Sequence, residues 1–307
     1  MGEFQLISET FRGGIPIVDS GTVVGNGDDA SVHQLPKGDE LVVSTDMAVE
    51  GIHWPYGFPL QLAADKAVCA ALSDLAAMGA EARWVWLAVA CDDQEKFKAI
   101  GEGANAALKR HWVELAGGDT VRASQTSITV TVGGSVPKGK SMRRNQARKG
   151  DDIWIVGKAG FASLGLKQWQ AEMEKGYFKR YFEEVKPKLE QGVKLRDLGV
   201  KCCIDISDGV LQDASHVVLD SSVGMILELS KFPGWDILCH KVGEKSAINA
   251  VVSGGEDYAL LFTAPAGMGW LDSFATKVGV CTDGIDVEIQ LNGTTLEGLH
   301  SGYDHFG

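Results

Sequence analysis

No run of the sequence approaches the roughly 18 to 20 consecutive apolar residues that a membrane span requires. The start, Met1-Gly2-Glu3-Phe4-Gln5, lacks the basic-then-apolar order of a secretory signal. These absences set the expectation of a soluble, cytoplasmic protein with no membrane partner. Cysteine is sparse: Cys69, Cys91, Cys202, Cys203, Cys239 and Cys281 form no C-x-x-C pair and keep no regular spacing. They read as reduced core thiols rather than a disulfide or zinc framework. Basic residues are in deficit, with 29 Lys and Arg against 41 Asp and Glu and a formal net charge of -12. That balance repels a nucleic-acid backbone, so no nucleic-acid partner is expected. Neither a G-x-S-x-G elbow nor a G-x-G-x-x-G strand-to-helix turn occurs, which counts against hydrolase and dehydrogenase readings.

The chain does have a globular share of apolar residues, 45%, over 307 positions. At about 150 residues per domain, two domains are the default. An acidic protein can still handle phosphates when divalent cations stand between its carboxylates and theirs, so what matters is whether the acids cluster.

Leu41-Val42-Val43-Ser44-Thr45-Asp46 is an apolar run that stops at two hydroxyls and a carboxylate, with Glu50 and His53 shortly after. It reads as a buried strand whose carboxyl end opens on a ligand crevice; a capped turn is the plainer alternative. Upstream, Gly25 to Ala30 is a glycine-rich turn carrying Asp28 and Asp29. A helix is expected from Leu62 to Met78 with Gly79 as its stop, and Asp74 falls in its last turns, where a carboxylate opposes the helix dipole. Strands are expected over Arg83 to Ala90, Val113 to Ala116 and Thr126 to Gly133, and a helix over Glu95 to His111. The Val113 strand is expected to end in Gly117-Gly118-Asp119-Thr120, where the glycines would let the backbone approach a ligand.

Gly134 to Ser141 matches the P-loop pattern G-x-x-x-x-G-K-[ST] and follows a strand. That reading needs a helix starting at Lys140, yet Met142 to Gly150 has almost no apolar face. The stretch reads better as a basic interdomain linker whose arginines could contact a phosphate. In the second half a strand is expected over Ile153 to Val156, and helices over Phe161 to Gln170, Leu189 to Leu198 and Val210 to Leu219. Cys202-Cys203-Ile204-Asp205-Ile206-Ser207-Asp208-Gly209 is a further strand stopping at acids and a hydroxyl. Further strands are expected over Gly224 to Leu229, Ala259 to Thr263 and Val287 to Leu291, with an Asn292-Gly293 hairpin turn. Ser230 to Val251 fits no single pattern.

Asp29, Asp46, Asp74, Asp119, Asp205 and Asp208 thus fall at expected strand ends, glycine turns or a helix end. Oxygen ligands of this kind suit magnesium, which keeps several waters and bridges a few carboxylates to substrate phosphates. Carboxylates converging in this way would be intolerable without cations.

Gly27-Asp28-Asp29-Ala30, Ser44-Thr45-Asp46 through His53, Leu72-Ser73-Asp74 through Ala80, Gly117 to Thr120, Ile204 to Gly209, Ser253-Gly254-Gly255-Glu256-Asp257-Tyr258 and Gly302-Tyr303-Asp304-His305-Phe306 together closely resemble the thiamine-monophosphate kinase family, in order and in approximate spacing. The resemblance implies an α/β fold in two domains. Residues 1–137 would form a domain whose mixed sheet pairs in a homodimer, and residues 138–307 an α/β domain with a mixed sheet flanked by helices. It implies ATP-dependent phosphorylation of thiamine monophosphate by direct in-line transfer, with several magnesium ions. Asp29, Ser44, Thr45, Asp46, Asp74, Asp119, Asp205 and Asp208 would hold the metal. Gly118, Asp119, Arg144 and Ser207 would contact ATP; His53, Glu256 and Tyr303 would contact thiamine monophosphate. Asp46, Asp119 and Arg144 would have the catalytic roles. The sequence departs from the family pattern at Val121, in the segment Lys186-Pro187-Lys188 and in the short stretch 230–251. The rival readings are another ATP-using enzyme of the same superfamily, a silent binding module and a P-loop NTPase.

Overall fold

The structure, a computed structural model, describes residues 7, 9–11, 19–26, 29–300 and 302. The chain divides into two compact units, the first made of residues up to Leu75 with Ala80–Gly139, the second of Ala76–Gly79 with Lys140 onward. Among the described residues, the first unit contains a hairpin of β1 (Thr22–Val24) and β2 (Val32–His33), then β3 (Asp39–Val49), α1 (Leu60–Ala77), β4 (Glu81–Cys91), α2 (Gln94–His111), β5 (Glu114–Arg122) and β6 (Ser127–Pro137). Strands β3 to β6 make one mixed sheet in the order β3-β6-β4-β5, with β4 and β5 parallel and the other pairs antiparallel. Alternation in β6 buries Ile128, Val130 and Val132 on one face. Helix α1 covers that side with a nearly continuous small-residue surface, Ala63, Ala64, Ala67 and Ala71 all being buried. Its end is set as expected by Gly79, at φ +68, while the Ala80 amide reaches back to the Leu75 carbonyl.

The second unit carries β7 (Asp152–Val156), α3 (Phe161–Gln170), α4 (Lys179–Glu183), α5 (Leu189–Asp197), β8 (Cys202–Ile206), α6 (Val210–Ser221), β9 (Gly224–Glu228), α7 (Trp235–Val242), α8 (Glu244–Ser253), β10 (Ala259–Ala264), β11 (Thr276–Thr282), β12 (Val287–Leu291) and β13 (Thr294–Thr295). They form a sheet ordered β13-β12-β9-β11-β7-β10-β8. Strands β7, β8 and β10 are buried at every position because both faces are covered. Ile153, Ile155, Ile204, Ile206 and Leu261 point into one core; Trp154, Val156, Cys203, Leu260 and Phe262 point into the other. The six cysteines are free thiols, and all but Cys239 are buried.

Two expectations need correction, and one open stretch resolves. Strand β3 does not stop at Asp46: it runs to Val49, paired with β6 in unbroken register, so Asp46 lies opposite Val130 inside the ladder. Strand β5 runs through Gly117-Gly118-Asp119-Thr120 to Arg122, so Asp119 also sits within a strand, opposite Ala88. Both are edge strands, which accept polar residues that a central strand would not. The stretch 230–251, which fitted no single pattern, resolves into helices α7 and α8, broken at Gly243 with φ +81.

The Asn292-Gly293 turn is present, with φ of 52 and 77. Its two amides donate to Glu228, at 2.9 and 2.8 Å, and Ser230 donates to the same carboxylate. Partial burial works against the charge, but these donors outweigh it and draw the carboxyl down from its ordinary 4.5 to about 2. A depressed carboxyl adds stability above its unfolded pKa and loses it as pH falls through the folded one. Glu228→Gln is therefore expected to lower Tm by about 2–4 °C at neutral pH, for about 1 kcal/mol at this half-buried site. In thermal melts the gap from wild type should shrink as pH drops from about 4.5 towards 2; a gap independent of pH would refute the account.

Candidate active site

In the first unit the candidate groups stand on β3 and α1. Side chains alternate along β3, so Val42, Ser44, Asp46 and Ala48 share one face and Leu41, Val43, Thr45 and Met47 the other. Helix α1 lies over the first of these: a Cβ on Gly134, the partner of Val42, would stand 3.3 Å from Leu75 Cδ1. Asp74, one residue before Leu75, therefore meets the strand, and Ser44 Oγ donates to its Oδ2 at 2.5 Å. Ser44, Asp46 and Asp74 are brought to one side. Thr45 is not: its hydroxyl is on the opposite face, 2.9 Å from that of Thr131, so only its main chain can serve the Asp46 side.

His53 follows the end of β3. Its Nδ1 accepts from the Val49 amide at 3.0 Å, and its own amide donates to the Val49 carbonyl at 2.9 Å. An accepting Nδ1 requires the ring proton on Nε2. Asp119 is exposed on β5, and its Oδ1 accepts from the Thr120 amide at 2.9 Å. Asp29 is an exposed bend residue. Gly118 serves the sheet: a Cβ there would fall 2.0 Å from the Leu87 carbonyl oxygen on β4. The close approach that requires glycine is thus to a neighbouring strand, whatever ligand lies nearby.

In the second unit the carboxyl end of β8 is a genuine strand end, and two segments close on it. Glu256 and Tyr258 donate their amides to the Ser207 and Ile206 carbonyls at 2.7 and 2.8 Å. A Cβ on Gly255 would stand 2.3 Å from the Ser207 carbonyl oxygen, and one on Gly302 only 2.0 Å from that of Asp208. Ser207, Asp208, Glu256 and the start of the C-terminal segment are thereby gathered. Glu256 and Tyr258 both hold positive φ, +73 and +49, a conformation costing non-glycine residues about 1–3 kcal/mol each. The Tyr258 hydroxyl donates to Glu256 Oε2 at 3.3 Å. Asp257 has a structural task, its carboxylate accepting from the Gly160 and Ala162 amides at the start of α3. Tyr303 lies outside the described residues.

Arg144 stands elsewhere in this unit. Its carbonyl accepts from Cys202 Sγ and Ser221 Oγ at 3.5 and 2.6 Å, which fixes its main chain beside the start of β8. Cys202 and Ser207 are five residues apart on an extended strand, about 16 Å. The Arg144 main chain and Ser207 are therefore at opposite ends of β8.

The P-loop lookalike is excluded. Gly134 to Pro137 completes β6, no helix begins at Lys140, and the amide of Gly139 is taken by Glu40 Oε2 at 3.0 Å.

The residue that sequence reading missed is Asp213. Its Oδ2 accepts from three successive amides, Ser207, Asp208 and Gly209, each at 3.1 Å. Burial raises its carboxyl to about 7, and the charges of Asp208 and Asp205 add to the effect. The available signal was an acid in the first turn of a helix, where the dipole favours it.

Among the described residues no group of three or more His, Cys, Asp or Glu side chains is gathered to hold a metal. Magnesium does not demand such a cage, since it commonly takes one or two carboxylates, its own waters and substrate phosphates. The all-oxygen sets present, Ser44 with Asp46 and Asp74, and Asp205 with Asp208, fit that chemistry.

Comparison with known proteins places the chain among relatives. Residues 27–136 match the family described as AIR synthase related protein, N-terminal domain. The thiamine-monophosphate kinase of Salmonella typhimurium is 33% identical, with 99% of this chain and 98% of that one aligned, and that of Escherichia coli is 34% identical over the same shares. Among solved structures, the thiamine-monophosphate kinase from Stenotrophomonas maltophilia superposes with a TM-score of 0.84 at 30% identity, covering 96% of this chain and 98% of that one. AaThiL complexed with AMPPCP and TMP shares the fold, with a TM-score of 0.78, 24% identity and coverage of 99% and 97%.

Proposed function

The chain belongs to the thiamine-monophosphate kinase family, and from that premise we propose that it transfers the γ-phosphoryl group of ATP to thiamine monophosphate, giving thiamine diphosphate. The observation that carries this reading is near-complete alignment, 99% of the chain at 33% identity, with kinases of that name. The cleanest test is coupled ADP release with and without thiamine monophosphate at varied magnesium. Release should require both; release indifferent to thiamine monophosphate would refute the assignment.

The acceptor is a phosphate monoester, already anionic near neutral pH, so no general base is assigned. What remains for the protein is alignment and charge neutralisation during direct in-line transfer. Magnesium, when bound, supplies the neutralising charge between carboxylates and phosphates. Ser44, Asp46, Asp74 and Asp119 would hold it in the first unit, Asp205 and Asp208 in the second, with Asp29 and the Thr45 main chain as further oxygen donors. Asp119 in the first unit, and Ser207 and Arg144 in the second, would be contacts for ATP, with Arg144 adding positive charge. His53, through Nε2, and Glu256, with Tyr303, would meet thiamine monophosphate. We place the reaction in the cytoplasm, where ATP is made available.

We also propose a homodimer formed through the first unit's sheet. Leu41, Val43 and Met47 lie on the face of β3 turned away from α1, with 55%, 52% and 59% of their surface exposed. A row of apolar residues on an open sheet face marks an interaction surface. Val43→Asp is expected to leave a folded monomer, seen as a halved mass in sedimentation equilibrium; an unchanged dimer would place the interface elsewhere.

A further inference from the structure

We infer that Asp213 is a positioning residue: it fixes the main chain of Ser207, Asp208 and Gly209, and through it the direction in which Asp208 presents its carboxylate. The inference rests on the reading above of Asp208 as a metal ligand. Three consecutive amides converging on one point form a concavity of the kind that binds anions. Here the acceptor comes from the chain itself, Asp213 Oδ2 taking all three at 3.1 Å. The turn therefore has no amides left to cradle a phosphate. Ser207 has its carbonyl taken by the Glu256 amide as well, which leaves its hydroxyl as the group for ATP.

The rest of the turn has little freedom of its own. Gly209 is at φ +124, with Val252 and Ser253 packed where a Cβ would go, and Gly302 presses on the Asp208 carbonyl from the other side. The Asp208 carboxylate is held at a second point, where Gln212 Nε2 donates to Oδ2 at 3.2 Å. Asp213 and Gln212 both stand in the first turn of α6, so that helix acts as the rigid base from which the acidic tip of β8 is aimed. An ordinary helix cap would satisfy amides of its own helix; Asp213 instead satisfies the loop before it.

The test compares Asp213→Ala, Asp213→Asn and Asp213→Glu with wild type and with Val217→Ala, a buried position further along α6. Each protein is assayed for kcat and KM of ATP, for Mn²⁺ binding by electron paramagnetic resonance without nucleotide, and for Tm. Asp213→Ala should lose about 10- to 100-fold in kcat and a similar factor in Mn²⁺ affinity, the usual cost of removing a group that orients a ligand. Val217→Ala, of comparable Tm, should stay within about twofold in both. Asp213→Asn keeps an acceptor of the same shape and should return to within about threefold of wild type. Asp213→Glu keeps the charge but displaces the acceptor by one methylene, and should remain impaired even if Asp213→Ala fails to fold. The inference is overturned if Asp213→Ala behaves like Val217→Ala, if Asp213→Asn is as poor as Asp213→Ala, if Asp213→Glu matches wild type, or if wild type binds no Mn²⁺. Wild-type ADP release that ignores thiamine monophosphate would sink the kinase reading alone, and the Mn²⁺ comparison would still decide the role of Asp213.

Discussion

Asp46→Asn is expected to lower kcat for thiamine monophosphate-dependent ADP release by about 100- to 1,000-fold at saturating magnesium, the 3–4 kcal/mol typical of a lost electrostatic stabiliser. The substitution is nearly isosteric and retains hydrogen-bonding capacity, so its effect isolates the charge. The strand beneath should not notice it: Asp46 sits in an unbroken ladder between Thr45 and Met47, opposite Val130, and its main-chain pairing does not depend on the side chain. Tm should accordingly move by no more than a few degrees. The side chain is half-buried on the face that also carries Ser44, whose hydroxyl is already committed to Asp74. Near-normal turnover by Asp46→Asn would remove Asp46 from the metal-holding set, and a phosphoenzyme trapped with labelled ATP would refute direct transfer.

The way these acids are placed shows what the sequence could and could not reveal. Features decided by a few neighbouring residues were legible: Gly79 ending α1, Asn292-Gly293 turning a hairpin, and the acids at the end of β8. In each the local backbone geometry is dictated by residue type. Strands β3 and β5 misled because a hydroxyl followed by an acid looks like a strand end, whereas at the edge of a sheet the ladder can continue beneath polar side chains. Once β3 is known to be continuous, Ser44, Thr45 and Asp46 can no longer act as one group, since the period of two puts Thr45 beside Thr131 on the other face. The role of Asp213 was not legible for a different reason. Its partners are close in the chain, but their convergence on one oxygen depends on how the turn after β8 folds, and no residue pattern dictates that.

The same distinction separates two explanations for Gly118, and Gly118→Ala is expected to settle them through stability. The sequence suggested a glycine that lets ATP approach; the structure gives a neighbour in the protein itself. An alanine Cβ would lie 2.0 Å from the Leu87 carbonyl oxygen, 2.9 Å from its carbon and 3.2 Å from its nitrogen. All three are main-chain atoms of β4, which is fixed on its far side by β6 and cannot retreat. The edge strand β5 would have to move outwards instead, and its ladder from Gly117 to Arg122 would loosen with it. Such overpacking against backbone costs about 3 kcal/mol, or about 6–12 °C in Tm at roughly 2–4 °C per kcal/mol. Gly117→Ala provides the internal comparison, because its Cβ would meet only the Trp86 indole, Cδ1 at 3.1 Å and Nε1 at 3.6 Å, which is a side chain and not main chain. Its loss should be about 1 kcal/mol or less. Differential scanning fluorimetry of the two variants without nucleotide checks the contrast. If Gly118→Ala melts with wild type but shows a raised KM for ATP, glycine is needed there by the ligand and not by the sheet.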